Sequence, residues 1–274
     1  MIFLNLPIIQ RALIGCVLAG FLTGVVSVLV VKMKLTTVGF TMSHSAFAGA
    51  ALGLALSLNP LTTALIFSIA VASVVGPVAD KARLHAGTVM SIAFPFTMAL
   101  AFIFLSMAPT VSQLSGEATS ILWGSILTVS GVEIGYLGIV CAITIALIFL
   151  FWKEFYAIMF SKTMAEVDGI QTKPIIYLII FIVGIVVTFS LKLVGGLLVF
   201  ALIVNPASTS FQILHDLKKI VLLCPIIGVA TCIGGLFLSL ILNWPVGACI
   251  VMVSTVCFAI AVILSPKRRM AGGK

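Results

Sequence analysis

The chain has 274 residues, 62% of them hydrophobic and only 8% charged, with a formal net charge of +8 and a mean hydropathy of +1.35. A soluble domain carries about 25% charged residues, so this composition excludes a soluble enzyme and a nucleic-acid-binding domain. It leaves a polytopic membrane protein: at roughly 20 apolar residues per span, the chain holds about eight to ten spans and little else.

The N-terminal MIFLNLPIIQ has no basic region ahead of its apolar run. It does not read as a cleaved signal peptide, so the first span serves as its own insertion signal. Hydropathy places spans at 9–31, 40–58, 61–79, 88–107, 135–152, 174–191, 194–211, 220–242 and 246–264. The expected fold class is an all-α bundle of about nine (eight to nine) transmembrane helices, forming one domain over 1–274. Segment 108–134 is semi-polar and reads as an outer loop with a short interfacial or re-entrant helix. The span at 194–211 is the least regular, because it contains Asn205-Pro206.

Lysine and arginine orient the bundle. With the N-terminus outside, the inner side receives Lys32, Lys34, Lys81, Arg83, Lys153, Lys162, Lys173, Lys218, Lys219, Lys267, Arg268, Arg269 and Lys274; the outer side receives only Arg11 and Lys192. This is the bias expected of cytoplasmic loops. It accounts for the net charge without a nucleic-acid partner and puts the C-terminus in the cytoplasm. The six cysteines (Cys16, Cys141, Cys224, Cys232, Cys249 and Cys257) sit in apolar runs without CxxC spacing, as small buried side chains do.

The second span carries TVGFTMSHSAFAGAALG, residues 37–53. Ser45, Gly49 and Gly53 recur every four residues, a stripe that admits a neighbouring helix closely. His44 lies about 100° around from Ser45. An ionisable residue in a span is a candidate functional group, and neutral imidazole ligates zinc, copper, iron or nickel. The other reading is a histidine hydrogen-bonded to a backbone carbonyl of the bundle. Met42, Ser43 and Asn243 are weak partners for a metal at His44.

Irregular backbone inside a membrane is tolerated where protein or a wet cavity satisfies it. Candidate breaks are Gly76-Pro77, Pro95, Asn205-Pro206 and, opening the last span on the outer side, Asn243-Trp244-Pro245-Val246-Gly247. Several together suggest a translocation pathway. The longest inner loop, 152–173, is amphipathic: Phe155, Ile158 and Met159 share one face, while Lys153, Glu154, Lys162, Glu166 and Asp168 supply the polar remainder. It suits either the membrane surface or a soluble partner. Glu117 and Glu133 read as loop acids of the outer side, and His85 and His215 as solvated histidines of inner loops.

Four segments resemble the membrane permease subunit of the zinc/manganese/iron ABC importers, a family of the type II (vitamin B12-permease-like) fold group. VGFTMSHSAFAGAALGLALSLNP is similar to the family's Gly-Asp-x-Leu-x-His-Ala-x-x-x-Gly-Val signature. LVGGLLVFALIVNPASTS, NWPVGACIVM and MAEVDGI resemble three further motifs in the same order. The resemblance runs from about residue 10 to 265. It implies an importer permease moving a divalent metal ion, with a metal chelate, siderophore, haem or vitamin as the alternative cargo and a secondary transporter as a weaker one. It further implies a second copy of the chain, a cytoplasmic ATPase dimer that uses ATP and magnesium, an extracytoplasmic solute-binding protein, and a bacterial or archaeal cytoplasmic membrane. The chain has no GxxxxGK[ST] sequence, so ATP hydrolysis falls to the partner, and no cofactor is expected on this chain. The loop 152–173 would be the coupling loop, with Met164, Ala165, Asp168 and Gly169 at the ATPase. Two departures stand out: the family's aspartate four residues before the histidine is Phe40 here, and the aspartate of its outer Asp-x-Pro-x-Gly segment is Asn243. Manganese prefers carboxylate oxygen, so these replacements bear directly on the metal.

Overall fold

The computed structural model describes residues 7–84, 86–107, 124, 129–195 and 199–265, and among these every regular element is an α-helix. In chain order they are α1 (Pro7–Lys32), α2 (Thr36–Ala55), α3 (Pro60–Ala82), α4 (Ala86–Ser106), α5 (Gly131–Leu150), α6 (Trp152–Phe160), α7 (Lys162–Val167), α8 (Thr172–Val194), α9 (Val199–Ile213), α10 (Leu217–Leu242) and α11 (Val246–Leu264). Eight are long and apolar enough to cross a membrane: α1 to α5, α8, α10 and α11.

Local chemistry sets the ends. Asn59 caps α3, its side chain accepting from Leu61 N–H at 2.9 Å ahead of Pro60 in the first turn. Ser130 and Glu133 form a reciprocal capping box at α5, which satisfies two of the donors a helix start leaves open. Asp216 caps α10. Asn243 closes α10 in the left-handed region at φ 55°, a conformation asparagine tolerates better than most residues.

The structure corrects some expectations and refines others. Within the span placed at 194–211 the described helix is α9, Val199–Ile213, and Val199 N–H donates to Gly195 O at 3.0 Å. Gly195, at φ 101°, separates it from α8. Gly76-Pro77, Pro95 and Asn205-Pro206 interrupt no helix, since each proline lies inside a continuous one. Pro206 brings no N–H to its own ladder, and the next one, Ala207 N–H, donates to Ser27 Oγ of α1 at 2.9 Å. Neighbouring protein thus satisfies a backbone donor beside the proline. Glu133 belongs to the first turn of α5 rather than to a loop. The expected helix within 108–134, and Glu117 and His85, lie outside the described residues.

Charged ends gather on one side. Lys32 Nζ stands 5.9 Å over the Phe211 ring, and Ser265 Oγ donates to Gln212 O at 2.9 Å. The C-terminal ends of α1, α9 and α11 therefore meet, and α9 runs parallel to α1. Asp80 at the end of α3 accepts from Lys173 Nζ at 3.0 Å and Tyr177 Oη at 2.7 Å at the start of α8. The Tyr177 ring packs on Gly76, where a Cβ would come within 2.6 Å of it.

Between the spans, α6 and α7 fold the loop 152–173 into a helical corner. Phe155, Ile158 and Met159 are buried, so the apolar face legible in the sequence packs on the protein itself. Ser161 Oγ accepts from Met164 N–H at 3.3 Å and starts α7, and Thr172 Oγ1 donates to Glu166 at 2.6 Å, tying α7 to α8.

Candidate translocation site

Helix α2 is the core of the bundle, with contacts to α3, α4, α8 and α9. Small residues let it sit there. A Cβ on Gly49 would come within 2.6 Å of Phe67 Cβ and 2.7 Å of Ala64 Cα, and Gly53 rests on Thr63 and Pro60, so the glycines of the stripe face α3. Ser45 is buried with its hydroxyl on Thr41 O at 2.8 Å. On another face Thr41 Oγ1 donates to Met90 O at 2.9 Å, binding α2 to α4.

His44 lies eight residues, about 12 Å of rise, beyond the start of α2, and is 4% exposed. Phenylalanines surround it. Its ring centroid is 4.9 Å from Phe40, one turn earlier on α2, and 4.6 Å from Phe94 of α4, both edge-on. Phe40 also stands 4.3 Å from Phe94 and 4.9 Å from Phe200 of α9. Edge-to-face packing at such distances is favourable for aromatic rings. The imidazole Nδ1 is shut off from solvent and has no hydrogen-bond partner. No backbone carbonyl satisfies that atom, and the rings of Phe40 and Phe94 pack against the imidazole.

The other residues expected near His44 are placed elsewhere. Met42, two residues away and so about 200° around the helix, has its sulfur 3.8 Å from Ser68 Oγ and close to Gly184. Ser43 Oγ donates to Gly39 O at 2.8 Å. Asn243 is exposed in the α10–α11 turn beside Pro245 and the buried Gly247, where Ser239 Oγ donates to Trp244 O at 2.5 Å. Asn205 Nδ2 donates to Thr255 Oγ1 at 3.4 Å, linking α9 to α11. Among the described residues no group of three or more His, Cys, Asp or Glu side chains gathers where it could hold a metal.

Of the coupling residues, Ala165 is buried and Met164 is 61% exposed; Asp168 ends α7 and Gly169 takes φ 82°. Phe94 and Phe200 were not anticipated. With 19 phenylalanines in the chain only the four-residue spacing of Phe40 and His44 hinted at such a cluster. The Asp80–Lys173–Tyr177 knot also escaped, although Asp80 is a lone acid in VADKARLH.

A bundle of eight membrane-length helices, built around a small-residue helix with a buried imidazole at mid-depth, belongs to the polytopic membrane permeases. The family model of the ABC 3 transport family matches residues 5–265. The chain is 32% identical to the manganese transport system membrane protein MntC of Listeria monocytogenes, over 97% of this chain and 94% of that one. It is 25% identical to the chelated iron transport system membrane protein YfeD of Yersinia pestis, over 94% and 85%. Among solved structures, PsaBC from Streptococcus pneumoniae in complex with Fab aligns with a TM-score of 0.84 and 25% identity, covering 97% of this chain and 94% of that one. The chain belongs to the ABC 3 transport family and is a multi-pass ABC transporter permease.

Proposed function

We propose that this chain is the permease subunit of an ATP-driven importer that carries a divalent metal ion, zinc, manganese or iron, into the cytoplasm. The observation that carries this reading is the match over nearly the whole chain to relatives named for manganese and chelated-iron transport. Two copies of the chain alternate between outward and inward access. A solute-binding protein delivers cargo at the outer turn of Asn243 and Trp244, and a separate ATPase dimer hydrolyses ATP with magnesium on the cytoplasmic side, where the C-terminus also lies. The corner of α6 and α7 supports the ATPase contact: one face is buried in the bundle, while Phe160, Met164 and Val167 are 72%, 61% and 83% exposed. A rigid corner with an apolar outer face can pass a push from a soluble partner to the spans.

His44 meets the cargo in passing. Phe94 comes from another helix and packs on both His44 and Phe40, so a shift of α4 against α2 uncovers the imidazole. The cluster then works as an aromatic gate at mid-depth, and a passing cation meets ring faces that attract positive charge. The aromatic surroundings favour a second reading, in which the metal crosses as a chelate whose organic shell packs against the rings.

Reconstitution with the ATPase and binding protein tests both. Uptake and ATP turnover are measured with free zinc, manganese and iron and with a chelated iron. Stimulation by one free ion, with its uptake lost in His44→Ala while the complex stays assembled, supports the bare-ion route. Stimulation by the chelate alone selects the second reading. A silent His44→Ala removes the imidazole from the path.

A further inference from the structure

Away from the helices that enclose His44, α1, α5, α6 and the first half of α10 leave an open groove of about 1160 Å³. Its walls are apolar: Phe21 and Val25 of α1, Ile148 and Phe149 of α5, Leu222 and Ile226 of α10. Phe149, Leu222 and Ile226 are 76%, 72% and 62% exposed, at the level where α5 ends and α10 begins. Lys153, Glu154 and Lys218 line the same groove, beside Trp152. Tryptophan and lysine at a helix end mark the water–hydrocarbon boundary, so the groove faces the inner leaflet with its polar groups at headgroup depth.

Glu154 discriminates between occupants. Its Oε2 is shut off from solvent and accepts no hydrogen bond, and neither ion pair found among the described residues involves it. A secluded carboxylate oxygen without a donor is costly. Two lysines attract a phosphate; the carboxylate calls for an N–H donor beside it. A phosphatidylglycerol headgroup offers the phosphate without a cation, and a choline headgroup offers a cation without N–H. A primary ammonium offers both charge and donor. We propose that this groove binds a phospholipid with a primary-ammonium headgroup, its acyl chain along α1, α5 and α10, its phosphate at Lys153 and Lys218, and its ammonium at the Glu154 carboxylate, whose side chain turns to bring Oε2 out to the donor. The site depends on the chain spanning a membrane and is independent of the cargo. Through Trp152, Lys153 and Glu154 the lipid would touch the first turn of α6, at the head of the inner corner.

The test uses the purified full chain, incubated with vesicles of phosphatidylethanolamine, phosphatidylcholine or phosphatidylglycerol and read by native mass spectrometry. Phosphatidylethanolamine is expected to be retained roughly tenfold over phosphatidylcholine, the worth of one hydrogen bond to a charged group. Glu154→Gln should bring that ratio close to one, and Lys153→Ala with Lys218→Ala should lower retention of all three. Ile226→Trp fills the groove and should displace the lipid with the polar mouth intact. Equal retention of the ethanolamine and choline lipids overturns the proposal, as does phosphatidylglycerol retained as well as phosphatidylethanolamine. Unchanged retention in Ile226→Trp overturns it too. Disulfide-linked dimers of Ile226→Cys in membranes would give the groove to a second copy and likewise overturn it.

Discussion

Helices α2 and α4 lie side by side and obey opposite rules. Over its most apolar stretch α2 has a mean hydropathy of 1.2 and is 83% buried; α4 has 2.1 and is 22% buried. In water the more hydrophobic helix would be the inner one. In a bilayer lipid is as apolar as any side chain, so burial is decided by close approach and by pairing of polar groups. The glycines, serines and threonine of α2 supply both, whereas α4 presents Ile92, Phe96, Phe102 and Ile103 outward.

Substitutions that exchange the two characters test this difference, and the largest effect belongs to Gly49. Leucine there must displace Phe67 and the backbone of α3, at about 3 kcal/mol for overpacking. Thermal unfolding of the purified protein should fall steeply, while Ile92→Val in α4 leaves it unchanged. Next is Phe40→Asp, which puts the family's carboxylate beside His44. A carboxylate at a helix centre costs roughly 2.5–3.5 kcal/mol on insertion, so yield should drop. In the surviving protein manganese uptake should rise relative to zinc, because manganese favours carboxylate oxygen. Parity of the two ions would show that Phe40 does not set cargo preference. Thr41→Val removes the bond to Met90 O and should cost about 0.6 kcal/mol, the mean for interhelical bonds in membranes, seen as a small loss of melting temperature. Smallest is Asp80→Asn. Its partners Lys173 and Tyr177 hold it at an exposed inner edge, where water and salt weaken ion pairs. No measurable loss of melting temperature is expected at physiological salt, and a clear loss would show that α3 and α8 rely on this knot.

Much of this was legible from residues alone. Composition announced a helical membrane bundle, the Ser45–Gly49–Gly53 spacing announced a close helix contact, and Phe155, Ile158 and Met159 announced an apolar face on the inner loop, although it packs on the protein itself rather than on a membrane surface or a partner. The prolines misled because a proline in a sequence shows what its own helix loses and not how a neighbour pairs the backbone around it; Ser27 stands 180 residues from Ala207. The boundary between α8 and α9 was hidden because hydropathy runs unbroken across Gly195, whose φ of 101° ends α8. The surroundings of His44 were hidden for a related reason. Phe94 and Phe200 are ordinary apolar residues in apolar runs, and only the packing of three helices brings Phe94 onto His44 and Phe200 onto Phe40.

The bond from Ala207 to Ser27 also bears on how the protein is made. During synthesis α1 enters the membrane long before α9 leaves the ribosome. A helix with a proline at its middle leaves polar backbone groups to be satisfied in hydrocarbon, so α9 depends on a partner already waiting. The first helix is thus the receptor for a much later one. Truncation from the N-terminus should therefore unseat α9 even when every residue from α2 onward is retained.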